Sequence, residues 1–209
     1  YLSKKKDITR DDYTGSNIWF GVREHAMGAI LNGLALCNFK VFGSTFLAFS
    51  DYLKPAVRMS ALMKLPVTYI FTHDSISIGS DGPTHQPIEQ LAMLRSTPNL
   101  YVYRPCDENE LIGAWNDILS LKETPSALVV TKNAVPVLAT SSRVDVAKGA
   151  YTILPEKNQL HGILIATGSE VHTAINVAEQ LYREQKLDLR VLSMPCMERF
   201  LEQSQEYQE

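Results

Sequence analysis

The run Leu65-Pro-Val-Thr-Tyr-Ile-Phe71 is apolar and β-branched and reads as a buried strand. It stops at Thr72-His73-Asp74, and a polar stretch containing Gly79-Ser-Asp-Gly-Pro-Thr-His-Gln-Pro87 follows. Only then does Ile88–Arg95 resume an apolar spacing, this time a helical one. A strand that hands over to a long polar loop before the next helix is where α/β proteins place their sites. The glycines and prolines set the backbone shape, and His73, Asp81 and His85 supply proton carriers and hydrogen-bonding groups. Asp-Gly-Pro alone is ordinary turn chemistry. The whole string carries more than a turn requires.

The same alternation recurs along the chain. A helix is expected from Glu24 to about Cys37, with Ala26, Ile30, Leu34 and Leu36 on a largely buried face. Gly28, Ala29 and Gly33 on that helix would permit close packing. A short strand over 39–45 and a helix over 46–63, interrupted or capped near Pro55, come next. A strand over 99–104, a helix opened by Asp107-Glu-Asn-Glu110 and running to Leu121, and a strand over 126–131 complete the unit. Strands and helices of these lengths, in alternation, predict an α/β fold with a mainly parallel sheet and helices on both faces. Residues 1–138 are assigned to this first domain and 139–160, without a long periodic segment, to a linker. Residues 161–209 read as the start of a second α/β domain: strand 162–166, helix 170–185 and strand 187–192 form one βαβ unit. That unit is small for a domain, and the chain opens on Tyr1 and closes in a charged run, so a piece of a longer protein is expected. Ser169 is expected to cap the helix it precedes.

A net charge of −3 gives no reason to expect nucleic acid or an anionic membrane as partner. Three cysteines with no C-x-x-C pair argue for a reducing, cytoplasmic setting and against a disulfide framework or a metal site. No apolar run approaches the length that spans a bilayer.

Gly21-Val-Arg-Glu-His-Ala-Met-Gly28 and Asp81-Gly-Pro-Thr-His-Gln-Pro87, at this separation, resemble the transketolase family of thiamine-diphosphate enzymes. Arg104-Pro-Cys-Asp-Glu-Asn-Glu110 and Leu164-Ile-Ala-Thr-Gly-Ser-Glu170 extend the resemblance over nearly the whole chain. It implies the pyrimidine-binding domain followed by the beginning of the C-terminal domain, and reversible transfer of two-carbon ketol units between sugar phosphates. Deoxyxylulose-phosphate synthase and the β subunits of 2-oxo-acid dehydrogenases share the fold but usually carry Ala-Glu-Gln where this chain has Arg23-Glu24-His25. Dihydroxyacetone synthase is a closer alternative, and a non-catalytic interaction remnant is the alternative from another class.

The resemblance assigns roles to individual residues. Glu24, which by position alone serves the helix dipole, matches the glutamate that hydrogen-bonds the pyrimidine ring of thiamine diphosphate. A buried carboxyl group with a raised pKa can share the proton that this ring nitrogen must receive. Phe46, Phe49 and Tyr52 recur every three residues, as a core stripe would, and match the aromatic pocket for the aminopyrimidine, with Phe49 as the stacking ring. His73 and His85 match the histidines that contact sugar and move protons, and Asp81 matches the aspartate that binds the C2 hydroxyl. His25, His161 and His172 are left as structural or surface residues. Lys132 stands where the family usually has an Arg that grips the sugar phosphate, which keeps the charge and loses the fork. The diphosphate and its Mg²⁺ or Ca²⁺ are held in the family by a separate domain, contributed by the partner subunit of a homodimer.

Overall fold

The computed structural model describes residues 4–209. The first unit runs α1 (Glu24–Leu36), β1 (Phe42–Phe46), α2 (Ser50–Leu62), β2 (Thr68–Thr72), α3 (Gln90–Arg95), β3 (Tyr101–Tyr103), α4 (Glu108–Ser120) and β4 (Ser126–Val129). Its strands form one parallel sheet in the order β1-β2-β4-β3. Alternate strand residues enter different cores, as the period of two requires. Val102, Ala127 and Val129 join Tyr69 and Phe71 under α1 and α2, whereas Tyr103 and Leu128 meet Ala114 and Ile118 of α4. Helices therefore cover both faces, as the alternation in the sequence predicts.

Two local expectations are corrected. The buried face of α1 is Met27, Gly28, Leu31, Asn32 and Ala35. Ala26, Ile30 and Leu36, expected inside, are exposed, and Leu34 is half-buried. The α2 contact selects the stripe, because Gly28 lets Leu53 and Ala56 approach to where a Cβ would lie, at 2.6 and 2.7 Å. Pro55 sits inside α2 without breaking it. The carbonyl stranded by its missing N–H is that of Asp51, in the exposed first turn, where water can serve it.

The stretch expected as a linker contains β5 (Tyr151–Leu154), which pairs antiparallel with β7 (Leu189–Ser193). Its apolar residues are broken by the polar Thr152 and closed by Pro155, and the strand is defined by its pairing with β7. With β6 (Gly162–Ala166) it makes a second sheet, β5-β7-β6, backed by α5 (Glu170–Gln185) and followed by α6 (Met197–Leu201) and α7 (Gln205–Gln208). Ser169 does not cap α5 with its side chain; its hydroxyl lies 3.3 Å from Glu170 Oε1 instead.

Buried polar groups join the two sheets. Glu110, fully buried on α4, accepts from Tyr151 Oη at 2.8 Å, Ser193 Oγ at 2.5 Å and the Cys106 amide at 2.7 Å. Asp117 accepts from the Tyr103 hydroxyl at 2.6 Å and takes a two-point contact from Arg199 at 2.6 and 2.8 Å. Burial without these partners would cost each carboxylate several kcal/mol, roughly the penalty for an uncompensated buried charge.

Candidate active site

The chain leaves each strand of the first sheet at the same end, and the chemistry gathers there. Phe46 closes β1, His73 directly follows β2, Arg104 follows β3 and Lys132 lies shortly after β4. In a parallel sheet the carboxyl ends of adjacent strands make one crevice. The segment after β2 coils as a 3-10 turn over Ile76–Asp81 and swings back at Gly82, whose φ of +80° suits a residue without Cβ. Asn133 Nδ2 reaches Ser77 Oγ at 3.0 Å and ties this loop to the one after β4.

Phe46, Phe49 and both histidines form one aromatic cluster. His73 stacks on Phe46 with ring centroids 3.7 Å apart, and Phe49 lies 6.0 Å from Phe46 in a parallel arrangement. His85 meets Phe49 edge-on at 5.1 Å. The expected helical stripe is modified here, since Phe46 enters from β1 and only Phe49 and Tyr52 belong to the turn and helix that follow. None of the three joins the buried core. Tyr52, 65% exposed, stands at the rim 6.2 Å from Phe49. A half-open aromatic wall of this kind fits a flat heteroaromatic ring such as the pyrimidine of thiamine diphosphate.

Each histidine follows a threonine whose Oγ1 lies 2.9 Å from the imidazole Nδ1, Thr72 for His73 and Thr84 for His85. That pairing orients the ring and leaves Nε2 for the crevice. The repeated Thr-His dipeptide was a readable signal for it. His73 Nε2 lies 3.8 Å from Asp81 Oδ2, and Lys132 Nζ donates to the same oxygen at 2.6 Å. The Lys132 hydrogen bond holds the Asp81 carboxyl below its usual range. Burial, then the Lys132 charge, lowers the His73 pKa against the opposing pull of Asp81. Near neutral pH His73 is thus an uncharged imidazole beside a carboxylate, able to accept a proton and return it. Lys132 and Asp81, expected to face substrate separately, here face each other.

Glu24 opens α1 and is half-buried rather than buried. Among the described residues its carboxylate has no partner, so it is free to meet a ring nitrogen. His25 is exposed, His161 Nδ1 accepts from the Asp188 amide, and His172 Nε2 lies 3.1 Å from the Cys106 carbonyl. Among the described residues no group of three or more His, Cys, Asp or Glu side chains gathers as a metal site, and no helix is long and apolar enough to cross a membrane.

Residues 2–137 match the family model of the transketolase pyrimidine-binding domain, and residues 149–209 that of the transketolase-like C-terminal domain. The chain belongs to the transketolase family. The transketolase of Halalkalibacterium halodurans is 52% identical over 212 residues, which is 100% of this chain and 32% of the relative. That of Bacillus subtilis is 52% identical over 206 residues, 96% of this chain and 31% of the relative. The chain therefore spans about a third of the length of the transketolases it matches. Among solved structures, transketolase from Leishmania mexicana superposes with a TM-score of 0.93 at 44% identity, over 97% of this chain and 30% of that one. A Pichia stipitis transketolase complexed with sedoheptulose-7-phosphate gives 0.95 at 43% identity, over 99% and 31%. Other Pichia stipitis transketolase structures with which the chain superposes are complexes with fructose-6-phosphate and xylulose-5-phosphate.

Proposed function

We propose that the longer protein containing this chain transfers a two-carbon ketol unit reversibly from a ketose phosphate to an aldose phosphate, in the cytoplasmic pentose phosphate pathway. The observation that carries this reading is the convergence of His73, His85, Asp81 and Lys132 on the Phe46–Phe49 wall. Thiamine diphosphate, when bound, supplies the carbon nucleophile for the donor carbonyl. This chain's part is to bind and orient. Phe49, with Phe46 and Tyr52 beside it, holds the pyrimidine, and Glu24 holds a proton at its ring nitrogen. His73 and His85 move protons to and from the sugar oxygens. Asp81 reads the C2 hydroxyl, and Lys132 meets the sugar phosphate as a point charge.

The diphosphate and its Mg²⁺ or Ca²⁺ are assigned to a region of the longer protein outside this chain. That region belongs to the partner in a homodimer, with the exposed Ala26 and Ile30 of α1 and Tyr52 at the shared interface. Steady-state assay of the longer protein with a ketose phosphate donor and an aldose phosphate acceptor tests the reading. Cofactor-dependent ketol transfer is expected. A protein saturated with thiamine diphosphate and Mg²⁺ that transfers nothing between such sugars would overturn it.

A further inference from the structure

Arg104 follows β3, lies 5% exposed, and takes no part in the chemistry above. The second unit grips it on three sides. Its amide donates to the Pro195 carbonyl at 2.8 Å, its carbonyl accepts from the Gly168 amide at 3.0 Å, and its Nη1 donates to the Thr167 carbonyl at 2.9 Å. Gly168, at φ +61°, lies so close to the guanidinium that a Cβ would sit 2.8 Å from Arg104 Cζ and Nε. Glu170 adds an ion pair from the start of α5.

The other end of Arg104 holds Asp74, the neighbour of His73. Nε and Nη2 both donate to Asp74 Oδ2, at 3.1 and 2.7 Å. Asp74 is 3% exposed and its Oδ1 has no hydrogen-bond partner. Among the described residues Arg104 is thus the only group that compensates this buried carboxylate. His73 itself sits at φ +61°, a left-handed conformation that is uncommon for residues other than glycine. We infer that Arg104 is a positioning residue for His73: pinned by the 167–170 turn of the second unit, it fixes Asp74 and with it the left-handed turn that lays the His73 imidazole on Phe46. Without Arg104 the Asp74 charge has no compensation in place, and the segment 73–74 must move toward water. The C-terminal unit thereby sets the geometry of a histidine in the other sheet. In its kinetic consequence, this rests on the function proposed above for His73.

Two measurements test it. In the 209-residue chain, NMR of the His73 ring protons reports stacking on Phe46 as an upfield ring-current displacement, with Phe46→Leu as the unstacked reference. Arg104→Gln should shift these protons toward the reference, and Arg104→Lys, which keeps the charge, should shift them less. Gly168→Ala leaves Arg104 unsubstituted but presses a Cβ against its guanidinium from the other unit, and serves if Arg104→Gln fails to fold. In the longer enzyme, Arg104→Gln should lower kcat/KM by about tenfold or more, as loss of outer-shell support does at metal sites. That loss should largely disappear in a His73→Ala background, because two residues acting as a unit are not additive. Unchanged His73 signals in folded Arg104→Gln or Gly168→Ala, or additive losses in the double variant, overturn the inference. The NMR arm needs no activity. A His73 signal that follows Arg104 in a protein without ketol transfer would leave the positioning role standing and remove the functional reading alone.

Discussion

The His73 imidazole lies on the Phe46 ring with centroids 3.7 Å apart and planes 25° from parallel. Because burial is the leading cause of the lowered His73 pKa, Phe46→Ala should let it rise back toward the ordinary value of 6.5. The sign for stability follows. With a folded pKa below the unfolded one, the unfolded chain binds more protons between the two values, so the wild-type fold gains stability as pH rises through that window. The contribution is in place above pH 6.5 and is lost as pH falls toward the folded value. His73→Gln should flatten that part of the profile, as measured by urea unfolding from pH 5 upward, in steps of roughly half a unit across the ordinary histidine range. A profile unchanged by the substitution would contradict the burial.

Glu24 stands at the mouth of α1 with a carboxylate that has no partner among the described residues. In the longer enzyme Glu24→Gln should leave the circular dichroism spectrum intact and lower turnover by about 10²–10⁴-fold, since an amide cannot share the proton. Near-wild-type turnover at saturating cofactor ends the assignment.

Asp81 is shared between Lys132 and the crevice. Asp81→Ala should raise KM more for aldose acceptors with the preferred C2 hydroxyl configuration than for acceptors lacking that hydroxyl, by roughly 1–3 kcal/mol. Lys132→Met should instead raise KM for phosphorylated sugars and spare unphosphorylated ones. Equal losses across each pair of substrates would mark both residues as supports of the loop.

Gly28 permits the closest helix approach described above. Gly28→Val drives a branched side chain into Leu53 and Ala56, where a single Cβ would already lie within 2.6 and 2.7 Å. Denaturant unfolding should show a loss of about 1–3 kcal/mol. A stability equal to wild type would mean that α1 shifts on α2 without cost.

The 209-residue chain by itself should bind thiamine diphosphate weakly, because it supplies only the pyrimidine end of the site, and it should transfer no ketol units. Isothermal titration in the presence of Mg²⁺ checks the first point and a coupled assay the second. An affinity of about micromolar, worth roughly 8 kcal/mol, would show that the chain holds the cofactor alone.

Much of this was legible in the residues. The loop after β2 announces itself through composition, and β6 and α5 fall where their apolar spacing puts them. What the sequence hides depends on contacts between distant segments. Which stripe of α1 is buried is decided by α2, not by the apolar residues of α1, several of which remain outside. Spacing also cannot reveal that Lys132 meets Asp81 across 51 residues, or that Arg104 joins Asp74 to Thr167. β5, too, is defined by a distant partner, the antiparallel β7.

The polar ties between the sheets bear on how the polypeptide could be divided. Glu110 and Asp117 of α4, with Arg104 after β3, each reach partners beyond residue 150, while residues 132–134 and 136–137 are exposed or half-exposed. A nick in that stretch would sever one covalent connection and leave every one of these charge and hydroxyl contacts in place. The two resulting pieces would carry matched, pre-shaped surfaces. Such a pair is suited to co-expression and reassembly, with recombination of the halves scored by recovery of the His73–Phe46 stack.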